Sequence, residues 1–368
     1  LQPLQNPQPM RAAVVGLGKI GFEFGLENRV QPASHVACYR AIPEISELAL
    51  CDIDNDKLHT AQLLGATYAD YKNMLDVFKP EIVSVCTPTP THKEIVCEVA
   101  KCESVKAIFL EKPIAQSLQE ADEMIAVCKD RSINLTVNFT RRWDLMYEQL
   151  RILHYEPDAM IGLHPGPLMR SGIHMLDLFN WLMKSQPYAV QAFGMSKNNY
   201  LTNEIGEDGV WPDYNVSGII DYADKKECVL YSGRSVEKLV VFELDILMPT
   251  WRIRVIDNGE RMEEYGVMPS HRYSGLKEYY PARSTSRVGW YPETPLLTAV
   301  KDVCLKAYEK SQHRVDPWLS ELAMVNHCSG EDARLALQVA LGIHYSAFRA
   351  NERVMLKDVP KDFAVRSY

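Results

Sequence analysis

The chain has 368 residues, 46% of them hydrophobic, with 40 basic and 48 acidic side chains and a formal net charge of −8. That length exceeds what one hydrophobic core usually holds, so two domains are expected; the acidic balance argues against non-specific nucleic-acid binding, and no apolar run approaches the ~20 residues of a membrane span. Nine cysteines, an odd number without a C-x-x-C pair, read as reduced, buried thiols of a cytoplasmic protein, and no cluster has zinc-ligand or EF-hand spacing.

In chain order, Leu1 to Pro9 is rich in Gln and Pro, lacks a signal-peptide core and reads as a flexible tail. From residue 10 to 137 strands and helices alternate. Strands are expected at 11–16, 47–52, 82–86, 107–110 and 133–137, and helices at 20–26, 34–41, 55–64, 71–77, 91–101 and 117–130. This is an α/β pattern, a doubly wound parallel sheet with right-handed crossovers. The first strand runs into Gly16-Leu17-Gly18-Lys19-Ile20-Gly21. In a G-x-G-x-x-G turn the first glycine makes the bend, the second admits a pyrophosphate and the third lets helix and strand pack closely. On the triplet alone, a glycine-rich turn without ligand stays open. Asp52 closes the second strand, where an acidic side chain grips ribose hydroxyls. It falls 31 residues after Gly21, later than the usual spacing of about 20, so a longer first crossover is expected. Helix capping is its other reading, a role that suits Asp54 better. Ligands lie at the carboxyl ends of such strands, which puts Gly16–Gly21, Asp52, Thr87-Pro88 and Glu111-Lys112-Pro113 on one edge.

Beyond residue 185 the pattern becomes strand after strand: 189–194, 215–222, 227–232, 240–247, 251–257 and 261–265. Asn258-Gly259 marks a hairpin turn between the last two. An open, mostly antiparallel sheet is expected, followed by helices at 295–310 and 331–350, the second capped by Ser329. Residues 10–137 are expected to form the first domain and 138–368 the second, with the last helix and tail free to pack back on the first. Val240-Val241-Phe242 and Trp251 to Val255 carry more bulk than one buried face needs, so the sheet is expected to bury a homodimer or homotetramer interface. Aromatic residues around 208–214 and 271–291 are read either as a sugar-stacking pocket or as ordinary sheet and core residues. Lys112 can serve as general acid or base if burial or neighbouring charge tunes it; a surface lysine before a turn is the alternative.

Taken in order, the glycine run, Cys51-Asp52, Val85-Cys86-Thr87-Pro88 with His92, Glu111-Lys112-Pro113, Thr140-Arg141-Arg142-Trp143-Asp144, Gly172-Ile173-His174-Met175-Leu176-Asp177 and Ser329-Gly330-Glu331-Asp332 resemble the glucose-fructose oxidoreductase / inositol dehydrogenase / rhizopine-catabolism (Gfo/Idh/MocA) family. The resemblance implies an N-terminal Rossmann domain, a C-terminal α/β domain with an open sheet, and hydride transfer between nicotinamide and a sugar, nucleotide-sugar or cyclitol. It implies NAD bound by Gly16, Gly18, Lys19, Ile20, Gly21, Asp52, Thr87, Pro88, His92, Glu111, Lys112 and Arg142. Lys112 and His174 are the implied catalytic residues, with Arg170 and Asp177 beside them at the substrate. The chain departs from the pattern at Arg170, where the family's D-x-x-x-H run carries aspartate, at Thr140, where asparagine is usual, and in the short stretch 162–170. Arg170 suits a carboxylate or phosphate on the substrate, or it faces solvent or pairs with an acid. Two alternatives stay open: a non-catalytic dinucleotide-binding regulator, and NAD-assisted elimination or epimerisation without net redox.

Overall fold

The computed structural model describes residues 9–28, 30–152, 156–193, 206, 208–233, 241–286, 293–312 and 328–367. They fall into two compact units, the first made of Leu1–Ala115, Gln119–Asp144 and Pro292–Ala333, the second of Gln116–Leu118, Leu145–Tyr291 and Arg334–Tyr368.

The first unit is built on a six-stranded parallel sheet of order β3-β2-β1-β4-β5-β6. Its strands are β1 (Met10–Val15), β2 (Ile45–Cys51), β3 (Ala66–Tyr68), β4 (Ile82–Val85), β5 (Ala107–Leu110) and β6 (Asn134–Val137). Helices α1 (Phe24–Glu27), α2 (His35–Arg40), α3 (Asn55–Ala61), α4 (Tyr71–Phe78), α5 (His92–Val99) and α6 (Leu118–Asp130) connect them. β4 and β5 are buried at every residue, as expected of a parallel sheet covered on both faces. The late position of Asp52 has its explanation in the first crossover. A π turn at Lys19–Glu23 and α1 end before a loop, and α2 starts afresh at a Ser34 cap whose side chain accepts from the Ala37 N–H. β3 was not expected, since three residues without an apolar run leave no period to read.

The second unit holds a nine-stranded sheet of order β14-β13-β12-β11-β7-β10-β9-β8-β15. Helices α7 (Leu145–Ile152) and α8 (Ile173–Met183) belong to it, with β7 (Ala159–Pro165), β8 (Pro187–Phe193), β9 (Ser217–Tyr222) and β10 (Lys226–Gly233). β11 (Glu243–Leu247), β12 (Trp251–Ile256), β13 (Arg261–Pro269), β14 (Lys277–Ser286) and β15 (Val354–Met355) complete the sheet. Every pairing is antiparallel except β7 with β10. The turn at Asn258-Gly259 joins β12 to β13, with positive φ at both residues. β7, β14 and β15 were not expected: β7 is broken by Gly162, β14 is polar and exposed, and β15 has two residues. Of the bulk expected at an interface, Phe242, Ile253 and Val255 are buried, Trp251 is exposed, and Arg252 and Arg254 are half-exposed. Val240 lies outside the described residues.

The two final long helices are α9 (Pro295–Gln312) and α10 (Gly330–Phe348). α9 groups with the first unit, where Asp302 accepts from the Trp143 indole at 3.2 Å and pairs with Lys306 at 2.6 Å. All nine cysteines are free thiols, and burial pushes Cys38, Cys51 and Cys128 up to about 12. Among the described residues no cluster of His, Cys, Asp or Glu is placed to hold a metal, and no helix is long and apolar enough to cross a membrane.

Candidate functional site

At the carboxyl end of β1 each motif glycine has its own reason. Gly16 bends the chain with φ +94°, and a Cβ there would lie 2.7 Å from the Cys86 carbonyl carbon. A Cβ on Gly21 would sit 2.0 Å from the Gly16 oxygen, so only glycine lets the turn close on the strand. Gly18 differs: a Cβ there would meet nothing within 4 Å. No protein contact demands glycine at 18; the open space is what a close backbone–ligand approach requires. Lys19 is exposed and Ile20 half-buried on the π turn that follows.

Asp52 is tied to that loop. One carboxylate oxygen accepts from the Leu17 N–H at 2.6 Å, the other from the Asp54 N–H at 3.0 Å. Asp54 caps α3 by accepting from the Asp56 N–H, leaving Asp52 with the loop role. Lys57 Nζ stands 4.0 Å from Asp52 and 3.7 Å from Glu23, a cation the sequence reading had passed over.

Two further loops on this edge are held by one imidazole. His92 Nε2 is 2.9 Å from the Thr87 oxygen, and Nδ1 is 3.1 Å from that of Pro113 and 3.3 Å from that of Ile114. The ring is buried; burial draws its pKa down against the raising effect of these carbonyls. Thr87-Pro88 and Lys112-Pro113, the latter a cis peptide, are thereby stapled together.

Beneath Lys112 lies a buried polar chain that sequence reasoning missed. Glu111 Oε1 accepts from His35 Nε2 at 3.0 Å and from Asn138 Nδ2 at 2.6 Å, and Oε2 accepts from the Lys112 N–H at 3.3 Å. His35 Nδ1 is 2.9 Å from Ser84 Oγ, which is 2.8 Å from the Tyr39 hydroxyl. Nε2 donates to the carboxylate, and Ser84 Oγ bridges Nδ1 to the Tyr39 hydroxyl. Burial would raise the Glu111 pKa, but its hydrogen bond and charge interaction with His35, the Asn138 hydrogen bond and the Lys112 charge hold it below the ordinary value. The available signal was Ser84, a polar residue inside the apolar strand Ile82–Val85. Lys112 itself is half-buried. Arg142 is buried, its guanidinium 3.5 Å from Asp332.

In the second unit Arg170 is exposed on a π turn, Leu168–Gly172, that leads directly into α8. Asp213 accepts from the Met169 and Arg170 N–H groups, both at 2.9 Å, and lies 3.1 Å from His344 Nε2. His174 is half-buried in the first turn of α8, and Asp177 is buried one turn on. Trp211 packs against Phe348 with tilted rings, centroids 4.1 Å apart, a packing role. Tyr273 and Tyr280 are exposed, and residues 287–291 lie outside the described ones. The structure thus brings together the glycine loop with Asp52, Thr87 with Pro113, and Glu111 with Lys112 in the first unit. It sets Arg170 and His174 on successive turns of the second.

Comparison with known proteins agrees with this architecture. Residues 10–139 match the family GFO_IDH_MocA, described as "Oxidoreductase family, NAD-binding Rossmann fold". The chain is 30% identical over 222 residues to the myo-inositol 2-dehydrogenase of Thermotoga maritima, covering 54% of this chain and 62% of that protein. It is 25% identical over 216 residues to a Bacillus subtilis protein called an uncharacterized oxidoreductase, covering 53% and 60%. It therefore spans about three fifths of the length of these curated relatives. The fold is shared with UDP-N-acetylglucosamine 3-dehydrogenase from Acidithiobacillus ferrooxidans, with TM-score 0.67 and 19% identity over 92% of this chain and 99% of that one. From its glycine loop to the end of its parallel sheet, residues 10–139 match the NAD-binding Rossmann domain of the Gfo/Idh/MocA oxidoreductase family.

Proposed function

We propose that the protein is an NAD-dependent dehydrogenase that moves hydride between nicotinamide and a hydroxyl or keto carbon of a sugar, nucleotide-sugar or cyclitol. The observation that carries this reading is the pairing of an open Gly18 face with a half-buried lysine beside an ionised, buried Glu111. Gly16, Gly18, Lys19, Ile20 and Gly21 would hold the pyrophosphate and Asp52 the adenosine ribose, with Thr87, Pro88, His92, Glu111 and Arg142 supporting the site. NAD, when bound, supplies the hydride acceptor. Lys112 takes the proton from the substrate hydroxyl as the carbon is oxidised, and returns it in reduction. His174 is the second proton-transfer group, with Asp177 orienting it, and Arg170 receives an anionic group of the substrate. Inositol and nucleotide-sugar dehydrogenases among the relatives support the substrate class.

Asp52 repels a 2′-phosphate, so NAD binds about ten- to a hundredfold tighter than NADP. Dissociation constants for both check this, and Lys57 is the residue to replace if NADP binds as well. The open face around Ile161 and Tyr231, with Arg252 and Arg254, would meet a second copy as a homodimer or homotetramer; a monomer in sedimentation at micromolar concentration contradicts that. The replacement of the family aspartate by Arg170 favours a second reading, a dinucleotide-binding regulator without turnover. The deciding experiment incubates the protein and NAD with neutral sugars, cyclitols, sugar acids and nucleotide-sugars and follows reduced-nicotinamide absorbance. Turnover with one class supports the dehydrogenase. NAD binding without turnover on any of them supports the regulator.

A further inference from the structure

Of the chain Tyr39–Ser84–His35–Glu111 only Glu111 belongs to a motif that points to NAD, and the chemistry above leaves the other three members without a task. His35, Ser84 and Tyr39 are fully buried. Polar groups so placed are costly unless they bond one another, and each of these does. The lengthened first crossover delivers His35: Ser34 restarts the helix, and the His35 ring packs on Phe109 of β5 with centroids 4.9 Å apart. The titratable groups facing Glu111 are His35 from α2, Cys86 beyond β4, His92 from α5 and its own neighbour Lys112. Asn138, beyond β6, adds a neutral donor from another element. Burial pushes the Cys86 thiol up, so it stays neutral, and His92 is engaged with backbone carbonyls.

We propose that His35 is a positioning residue for Lys112: by donating from Nε2 it keeps the Glu111 carboxylate ionised and aimed, and so sets the protonation of the lysine beside it. This rests on the reading of Lys112 as the proton-transfer residue. The physical reason is a balance at Glu111. Burial favours the neutral acid, and the His35 and Asn138 bonds favour the anion. Without His35 burial wins, the carboxyl takes up a proton, and Lys112 loses an anionic neighbour. Its ammonium form is then less favoured, and it titrates at lower pH.

The test reads Lys112 directly, without turnover. The full chain is acetylated with trace acetic anhydride across a pH series, and the Lys112 peptide is quantified by mass spectrometry. His35→Phe and Glu111→Gln are each expected to move the Lys112 midpoint down by about one pH unit. The double variant should move it no further than either single, because both act through one carboxylate. His35→Gln, which keeps a donor, should restore the parent midpoint. Thermal melting and circular dichroism report that each variant is folded. An unchanged midpoint in Glu111→Gln overturns the proposal, as do single shifts that add in the double variant or a His35→Gln that fails to rescue. If His35→Phe does not fold, the isosteric Glu111→Gln decides. Failure of the underlying reading looks different: Lys112→Met would keep its turnover while the titration coupling still held.

Discussion

In the first unit's sheet β4 and β5 bury every side chain, whereas in the second unit's sheet β11 alternates buried and half-exposed residues. A sheet covered on both faces has nowhere to put polar groups except at strand ends, so its chemistry collects at loops where glycines, prolines and charges stand out against apolar runs. A sheet with one open face spreads polar residues along its strands. There Asp245 and Arg252, 2.5 Å apart, look in sequence much like any functional pair. Motifs are therefore specific in the first unit, and in the second the roles of Arg170 and His174 rest on the resemblance.

Replacing the lysine of the first unit should have the largest effect. Lys112→Met is expected to lower turnover by about 10²–10⁴-fold while NAD binding stays within a few-fold. Steady-state kinetics on the substrate found in the panel check this, and more than a tenth of parental turnover would remove Lys112 from the reaction. In the second unit the comparison sharpens on Arg170. Arg170→Ala should lose about 2–4 kcal/mol in kcat/KM on a charged substrate and little on its neutral analogue. Equal losses on both would return Arg170 to a structural role.

A smaller effect separates two glycines of one motif. Gly21→Ala drives a methyl into the Gly16 carbonyl, and overpacking of that kind costs about 1–3 kcal/mol of stability. Gly18→Ala meets no protein atom and should change stability by less than about 0.5 kcal/mol, yet weaken NAD binding by about tenfold. Melting curves and NAD titrations of both variants test the pair; equal NAD affinity in Gly18→Ala and the parent would deny that residue its ligand role.

The smallest effect is on acid stability. The folded Glu111 pKa lies below the ordinary carboxylate value, for burial is outweighed by its hydrogen bonds. Its contribution to stability is thus complete above about pH 4.3 and is lost as pH falls through the lower folded value. Glu111→Gln should flatten that part of the stability–pH curve of the first unit, measured by denaturant unfolding between roughly pH 3 and 6. An unchanged slope would show that the carboxylate is not held as described.

By itself the sequence determined the Rossmann alternation, the placement of the glycine loop, Asp52, Thr87-Pro88 and Lys112 on one sheet edge, and the Asn258-Gly259 turn. Those features follow from local periodicity and from backbone geometries that only certain residues adopt. The two-part first crossover was legible as an anomalous spacing, though not as a π turn followed by a restarted helix. Tertiary structure alone decided the rest. It joined His35 to Glu111 across 76 residues, clamped the Arg170 turn with Asp213 and His344, inserted β7 beside β10, and gave α9 to the first unit. Each of these depends on which distant side chains share a buried space, and the cost of leaving a polar group unpaired there is set by the folded neighbourhood and not by any residue's sequence neighbours.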